Sequence, residues 1–343
     1  MHDAMRAFVT PSTTLGVGAV VFDYVLYFAF LAIALLADAW WLRVVASLLA
    51  GEMIAGLFVL GHDAAHNSLT PRPGLNRVLA AIVLFPALHN VTLWRYQHNR
   101  LHHRHPNVRH RNSWSPLSPA EFRALPAWRR GVEHVYRSAA GLWLYYLVHR
   151  WWRHKFVPRP EMREALGAAR YRQAWRDFAG LIGGLALFLC AVVLVARQGP
   201  HPSWIEAVLL GWALPFLVWN VMMGHSVFAQ HTHPAVPWFR DADEMARLGG
   251  QEHVSVVQQL PLWWNHLTHY ICEHPAHHIN PLIPHYRLRA AQREVEALMG
   301  ARAVSVPYGP AGMRDALRRC KLYDYDAHRW TDFAGRPTTA PNA

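Results

Sequence analysis

Apolar residues collect into four long runs, at about 16–36, 40–60, 179–196 and 204–223, and each approaches the roughly 20 residues that cross a bilayer. A fifth apolar stretch, 78–94, is interrupted by Pro86, His89 and Asn90 and reads as an interfacial or re-entrant helix. The first two runs are joined only through residues 37–39 and the next two through 197–203, so each pair predicts a tight helical hairpin. The segments 61–178 and 224–343 are long, polar and rich in arginine. The expected fold is therefore all-α: an integral membrane protein with four transmembrane helices in two hairpins and a helical cap on one side.

Charge orients this arrangement. The chain carries a formal charge of +12, and residues 61–178 hold nineteen Lys plus Arg against six Asp plus Glu. The positive-inside rule puts that segment in the cytoplasm, and two hairpins then leave both termini there, as expected for a bacterial inner membrane. Attraction to anionic headgroups accounts for the basic surface more simply than nucleic acid, because no nucleic-acid-binding motif accompanies it. Residues 37–39 resemble a small-residue cleavage site, but the apolar run before them is too long for a signal core and only Arg6 precedes it as a basic residue. The segment is read as a span that is kept.

Three cysteines, Cys190, Cys272 and Cys320, provide neither a disulfide framework nor a thiolate metal or iron–sulfur site. No internal repeat is evident. One membrane domain over 1–334 and a disordered tail over 335–343, where Pro337, Thr338, Thr339 and Pro341 cluster, is the economical division.

The chemistry sits in the histidines. They form three clusters: His62-Asp-x-x-His66, His98-x-x-x-His102-His103 and His274-x-x-His277-His278. On a helix, residues three or four apart share a face, so each cluster predicts a pair or trio of imidazoles aimed one way. All three lie on the expected cytoplasmic side, and His62 and His66 begin where the second apolar run ends. Eight clustered histidines exceed what one metal ordinarily takes, which points to a dinuclear centre; imidazole ligation suits Fe, Zn, Cu or Ni alike. Asp63 and Glu273 adjoin the clusters, where a carboxylate can accept the outer N–H of a ligand and fix its tautomer. Isolated histidines such as His2, His110, His134, His149, His154, His201 and His328 read as ordinary surface or core residues. His89 reads as a supporting residue rather than a ligand.

The clusters, their order and their position relative to two hairpins resemble the membrane-bound fatty acid desaturases. The resemblance extends to Trp94-Arg95 before the second cluster, and to His105-Pro-Asn107 and Trp114-Ser-Pro116 after it. It continues in Gln230-His231-Thr232-His233-Pro234 and in the run from His274 to Tyr286. These motifs are similar to the acyl-lipid delta-12, or omega-6, branch and cover about 60–289. The second cluster is one residue longer than the His-x-x-His-His usual in that branch, and Asn112 stands where Asp is frequent.

The resemblance implies two irons held by His62, His66, His98, His102, His103, His274, His277 and His278, and it adds His231. His269 is a further candidate, and His225 and Asn220 compete with His231. It also implies oxygen-dependent removal of two hydrogens from neighbouring carbons of a long acyl chain. An unactivated methylene has no acidic proton for a side-chain base, so an oxidising metal centre is required. Phe85 and Leu88 are candidate walls of an acyl tunnel or ordinary core residues. No haem-binding, iron–sulfur or dinucleotide motif is present in the sequence, so electrons must come from a ferredoxin, rubredoxin or cytochrome with its reductase. A soluble ferritin-like desaturase is excluded because no Glu-x-x-His pair occurs. Hydroxylation, decarboxylation and carotenoid oxidation start from similar boxes. A histidine-rich metal transporter instead needs polar ligands near the membrane midplane, not beyond the span ends.

Overall fold

In the computed structural model, which describes residues 1–111 and 114–342, four long helices occupy Thr13–Leu36, Trp40–His66, Ala168–Ala196 and Trp204–His231. Each contains one of the apolar runs and is long and apolar enough to cross a membrane. All four outrun the apolar stretch that announced them, starting at Thr13 rather than 16, ending at His66 rather than 60, starting at Ala168 rather than 179 and ending at His231 rather than 223. Hydropathy ends where the environment becomes polar, whereas a helix ends where its backbone is capped. The second long helix stops at Asn67, which adopts a left-handed φ of 65°, and the Ser68 N–H then bonds back to the Asp63 carbonyl at 2.9 Å. Asn112 lies outside the described residues.

The second long helix is the centre of the bundle, and apart from Glu52 every residue from Ala50 to His66 is buried. It packs on the first and fourth long helices through small residues, which let apolar helices approach closely. At Gly51 a Cβ would sit 2.8 Å from the Pro215 carbonyl oxygen, and Ser47 Oγ donates to the Leu210 carbonyl at 2.7 Å. The two short connections lie together at one end. There buried Arg43 donates Nε to the Ala34 carbonyl at 3.0 Å and pairs with Glu206 at 2.9 Å, and His201 Nε2 donates to the Asp38 carbonyl at 3.0 Å.

The rest of the chain is gathered mainly at the other end. The stretch 78–94 is not one helix: Pro73–Val83 ends, the backbone turns through Leu88 at φ 48°, and Asn90 starts the short helix Val91–Arg95 by accepting the Leu93 N–H at 3.1 Å. The polar residues that interrupt the apolar pattern are therefore where the helix breaks. Two segments are π-helical, Tyr96–His102 and Tyr146–Phe156, and a third π turn, Leu209–Ala213, lies inside the fourth long helix. Two small ribbons depart from an all-α description: parallel Val257–Gln259 with Ser305–Pro307, and antiparallel Leu322–Asp324 with Arg329–Thr331. The tail read from composition as disordered is hydrogen-bonded along the second ribbon, with the Thr338 N–H donating to the Trp330 carbonyl and the Tyr323 hydroxyl to Asn342.

Candidate metal centre

Nine imidazoles from four separate stretches meet in two adjoining groups. His62, His66, His98, His103 and His277 form one, and His102, His231, His274 and His278 the other; in each, one ring nitrogen per residue lies within 4.8 Å of the rest. In the first group His103 Nε2 is 3.1 Å from His98 Nε2 and 2.9 Å from His277 Nε2. In the second, His274 Nε2 is 2.9 Å from His231 Nε2 and 3.1 Å from His278 Nε2. The groups abut where the His103 and His278 rings stack at 4.7 Å.

The expectation that each cluster aims one way holds only for the first. His62 and His66 share the last turns of the second long helix and one group. The second cluster is split, with His98 and His103 in one group and His102 in the other, and the third is split likewise, with His277 apart from His274 and His278. Neighbouring side chains diverge around a helix by about 100°, so one short helix feeds two sites. The ninth histidine, His231, is the last residue of the fourth long helix.

The additional residue in the second cluster is absorbed by the π turn. A π-helix bonds i to i+5, one residue more per turn than an α-helix, and the His103 N–H accordingly donates to the His98 carbonyl at 3.0 Å. The i+4 and i+5 histidines thereby take the directions that i+3 and i+4 have on an α-helix.

Outer hydrogen bonds settle which nitrogen faces inward at two positions. The Val254 carbonyl can only accept, so His231 Nδ1, 3.0 Å away, carries the proton and Nε2 holds the lone pair. Asp63 Oδ1 does the same for His62 Nδ1 at 3.3 Å, while its Oδ2 accepts from the His285 backbone N–H at 2.7 Å and from His285 Nδ1 at 3.2 Å. His62 Nε2 and His66 Nε2 are buried with no hydrogen-bond partner among the described residues, as expected of groups left for a cation. Eight of the nine imidazoles are buried and His98 is half-buried. Burial, and then the neighbouring imidazoles, hold His98, His103, His274, His277 and His278 well below the usual histidine range, so they are neutral and available as ligands at pH 7. A soft-to-borderline transition metal in each group fits this donor set.

The other nominated residues lie outside both groups. His225 donates Nδ1 to the Val221 carbonyl of its own helix at 2.8 Å. His269 Nε2 meets Asp23 Oδ2 at 2.7 Å and its ring packs on His285. Asn220 is buried in the fourth long helix, and neither side-chain polar atom has a hydrogen-bond partner among the described residues. Glu273 accepts from Asn265 Nδ2 at 3.1 Å and supports that loop. Leu88 is a core residue, whereas Phe85 borders an open cleft.

Three contributors were not singled out from sequence: His285, the Val254 carbonyl and Trp94. Trp94 is fully buried, stacks on His98 at 4.3 Å and meets His62 edge-on. Only its place in the Trp94-Arg95 motif hinted at this. Asn107 of the following motif donates Nδ2 to the Pro237 carbonyl at 3.0 Å, pinning the strand of chain that leaves His231.

An enclosed cavity of about 80 Å³ adjoins both groups, bounded by His62, His98, His102 and His274 and by apolar Phe58 and Met222. Arg150 and Lys155 also border it. Burial, and then Arg150, pulls the Lys155 amine down to about 7. The sequence profile of the fatty acid desaturase family matches residues 38–309, the span that carries all nine histidines. The chain belongs to the fatty acid desaturase family. It is thus a desaturase, an oxidoreductase. Among curated relatives, the sn-1 oleoyl-lipid 12-desaturase of Picosynechococcus sp. is 28% identical over 327 residues, covering 93% of this chain and 85% of the relative. The chloroplastic omega-6 fatty acid desaturase of Brassica napus is 27% identical over 290 residues, covering 83% of this chain and 61% of the relative. The sn-1 acyl-lipid omega-3 desaturase (ferredoxin) of Nostoc sp. is 27% identical over 270 residues, covering 78% and 71% respectively.

Proposed function

We propose that this desaturase introduces a double bond into a long acyl chain, using molecular oxygen at two irons held by the two histidine groups. The observation that carries the reading is the convergence of nine imidazoles, with lone pairs facing inward at His62 and His231, beside an apolar cavity. His62, His66, His98, His103 and His277 hold one iron, and His102, His231, His274 and His278 the other. Iron bound there would supply the oxidising power that an unactivated methylene requires. Overall, one CH₂–CH₂ unit, one O₂, two electrons and two protons give CH=CH and two waters.

The protein's own contribution is orientation and dryness. Asp63 and the Val254 carbonyl fix the tautomers of His62 and His231, and Trp94 backs the first group. Phe58 and Met222 present an apolar wall that holds a methylene next to the histidines and excludes water. The two electrons come from an external donor, a ferredoxin, rubredoxin or cytochrome with its reductase. One relative carries ferredoxin in its name, and the basic face suits an acidic partner. The four long helices cross a bacterial inner membrane with both termini and the histidine groups cytoplasmic, all within one membrane domain.

Metal analysis of the purified chain, with lipid profiling of a host that lacks polyunsaturated acyl chains, tests this reading. Two tightly held irons per chain and a new double bond are expected. Exchangeable zinc or nickel at low occupancy with an unchanged lipid profile would instead favour metal transport.

A further inference from the structure

A second, larger space lies apart from the metal centre. It is an open cleft of about 1060 Å³ between the first and third long helices, Pro73–Val83 and Val91–Arg95. Its chemistry changes along its length. On the third long helix Arg176 is followed on the cleft side by Gly180, Gly184 and Leu187, and on the short helix Arg77 is followed by Val78 and Ile82. Both walls are therefore polar at one end and apolar beyond it, and Arg95 adds a third guanidinium to the cleft. From Arg176 to Leu187 the wall is about 16 Å long at the helical rise.

The positive charge of the cleft exceeds the counter-charge that lines it. The Asp177 carboxylate borders the cleft and attracts Arg95 while accepting the Thr92 N–H at 3.0 Å and Gln173 Nε2 at 2.8 Å, so three guanidiniums share one negative charge. Arg77, Arg95 and Arg176 form no ion pair among the described residues; Arg95 donates one terminal nitrogen to the Ala64 carbonyl at 3.5 Å, and its Nε is buried with no partner among those residues. Arginine's planar fork matches phosphate oxygens, and three such groups above an apolar trough complement an amphiphile with a phosphate head. At Gly180 a Cβ would meet nothing within 4 Å among the described residues and would project into the trough, whereas Gly184 admits the Phe85 ring, whose Cε2 would lie 2.7 Å from such a Cβ.

The cleft also communicates with the centre. Arg95 follows Trp94, which stacks on His98. His89 borders the cleft and reaches the Tyr146 hydroxyl at 3.4 Å; the same hydroxyl accepts from Lys155 of the central cavity at 3.4 Å. One layer of side chains separates the two spaces.

We propose that this cleft binds a glycerophospholipid, with its phosphate on Arg77, Arg95 and Arg176 and one acyl chain along Gly180, Gly184 and Leu187, and so selects phospholipids over uncharged glycolipids as acyl carriers. The selection of carriers rests on the desaturase reading above; the binding site does not.

The test uses the full-length chain in detergent and native mass spectrometry, comparing phosphatidylglycerol with a monogalactosyl diacylglycerol of identical acyl chains. At least tenfold preference for phosphatidylglycerol is expected, undisturbed by excess inorganic phosphate. The double substitution of Arg77→Gln and Arg176→Gln, both at exposed positions, should abolish that preference. Gly180→Leu should weaken both lipids, while Gly183→Leu, at an exposed position off the cleft, should change neither. In a host making both lipid classes, new double bonds should fall mainly in phospholipid and shift toward glycolipid in the arginine variant. Equal binding of the two lipids, displacement by inorganic phosphate alone, or an unchanged class distribution in the arginine variant overturns the proposal. Preferential binding with no new double bond in any class keeps the site and instead removes the desaturation reading.

Discussion

His98 and His103 stand one π turn apart, their Nε2 atoms 3.1 Å from each other and the His103 N–H bonded to the His98 carbonyl at 3.0 Å. That relationship explains how a cluster one residue longer than the usual His-x-x-His-His still sends its imidazoles to two sites. Removing the additional residue should then let the turn relax to α-helix without dispersing the ligands. Deletion of Arg100, an exposed residue within the turn, is expected to keep iron content near wild type and product formation within about tenfold. Loss of both irons in that deletion would mean the π turn itself, not the angular relation it restores, positions the centre.

Asp63 gives a sharper test of ligand orientation. Its carboxylate accepts from His62 Nδ1, His285 Nδ1 and the His285 backbone N–H, three donors on two oxygens. Asp63→Asn replaces one acceptor by an NH₂ that faces a donor, so His62 loses the partner that fixes its tautomer. Iron affinity should fall on the order of 10- to 100-fold, with product formation falling in step and helix content unchanged. Wild-type iron retention in this variant would show that His62 is oriented by something other than Asp63.

Lys155 makes stability depend on pH in a defined direction. Burial and the neighbouring Arg150 bring its amine from 10.5 down to about 7, with His89 and Tyr146 the other titratable groups near it. Below about pH 7 the amine is charged in both folded and unfolded chains, and the full cost of the buried charge is present. Between about 7 and 10.5 the unfolded chain binds the proton that the folded chain has shed, so stability rises with pH. Lys155→Met keeps the apolar stem and removes the charge. Thermal unfolding in detergent should show the largest gain at pH 6 and a shrinking gain toward pH 10. A gain equal at all pH values would mean that no charge is buried at this position.

Much of this was legible because it is written in composition. The four apolar runs located the long helices, the histidine spacings nominated eight members of the two groups, and the family resemblance added the ninth, His231. The allocation of ligands was not legible, since whether His102 or His103 faces a given site depends on the winding of a π turn that no local pattern announces. His285 and Val254 were hidden for a different reason: they act on His62 and His231 from over twenty residues away in the chain, through a backbone group in one case. The arginine cleft was hidden too, because Arg77, Arg95 and Arg176 are far apart in sequence and look like ordinary basic flank residues until the helices bring them together.

The orientation in the membrane is open to a direct experiment. Arg43 with Glu206, and His201 with the Asp38 carbonyl, hold the 37–39 and 197–203 connections together at one end of the bundle. The histidine groups form at the ends of the second and fourth long helices, His66 and His231, which is the other end. The arginine excess of 61–178 follows the His66 end of the second long helix, and the positive-inside rule predicts a cytoplasmic placement for it. Alkaline phosphatase, active only outside the cytoplasm, should be active when fused after Ala39 and inactive when fused after Pro160, and a fluorescent protein that folds only in the cytoplasm should give the opposite pattern. Phosphatase activity after Pro160 would turn the bundle over, leaving the histidine groups out of reach of any cytoplasmic electron donor.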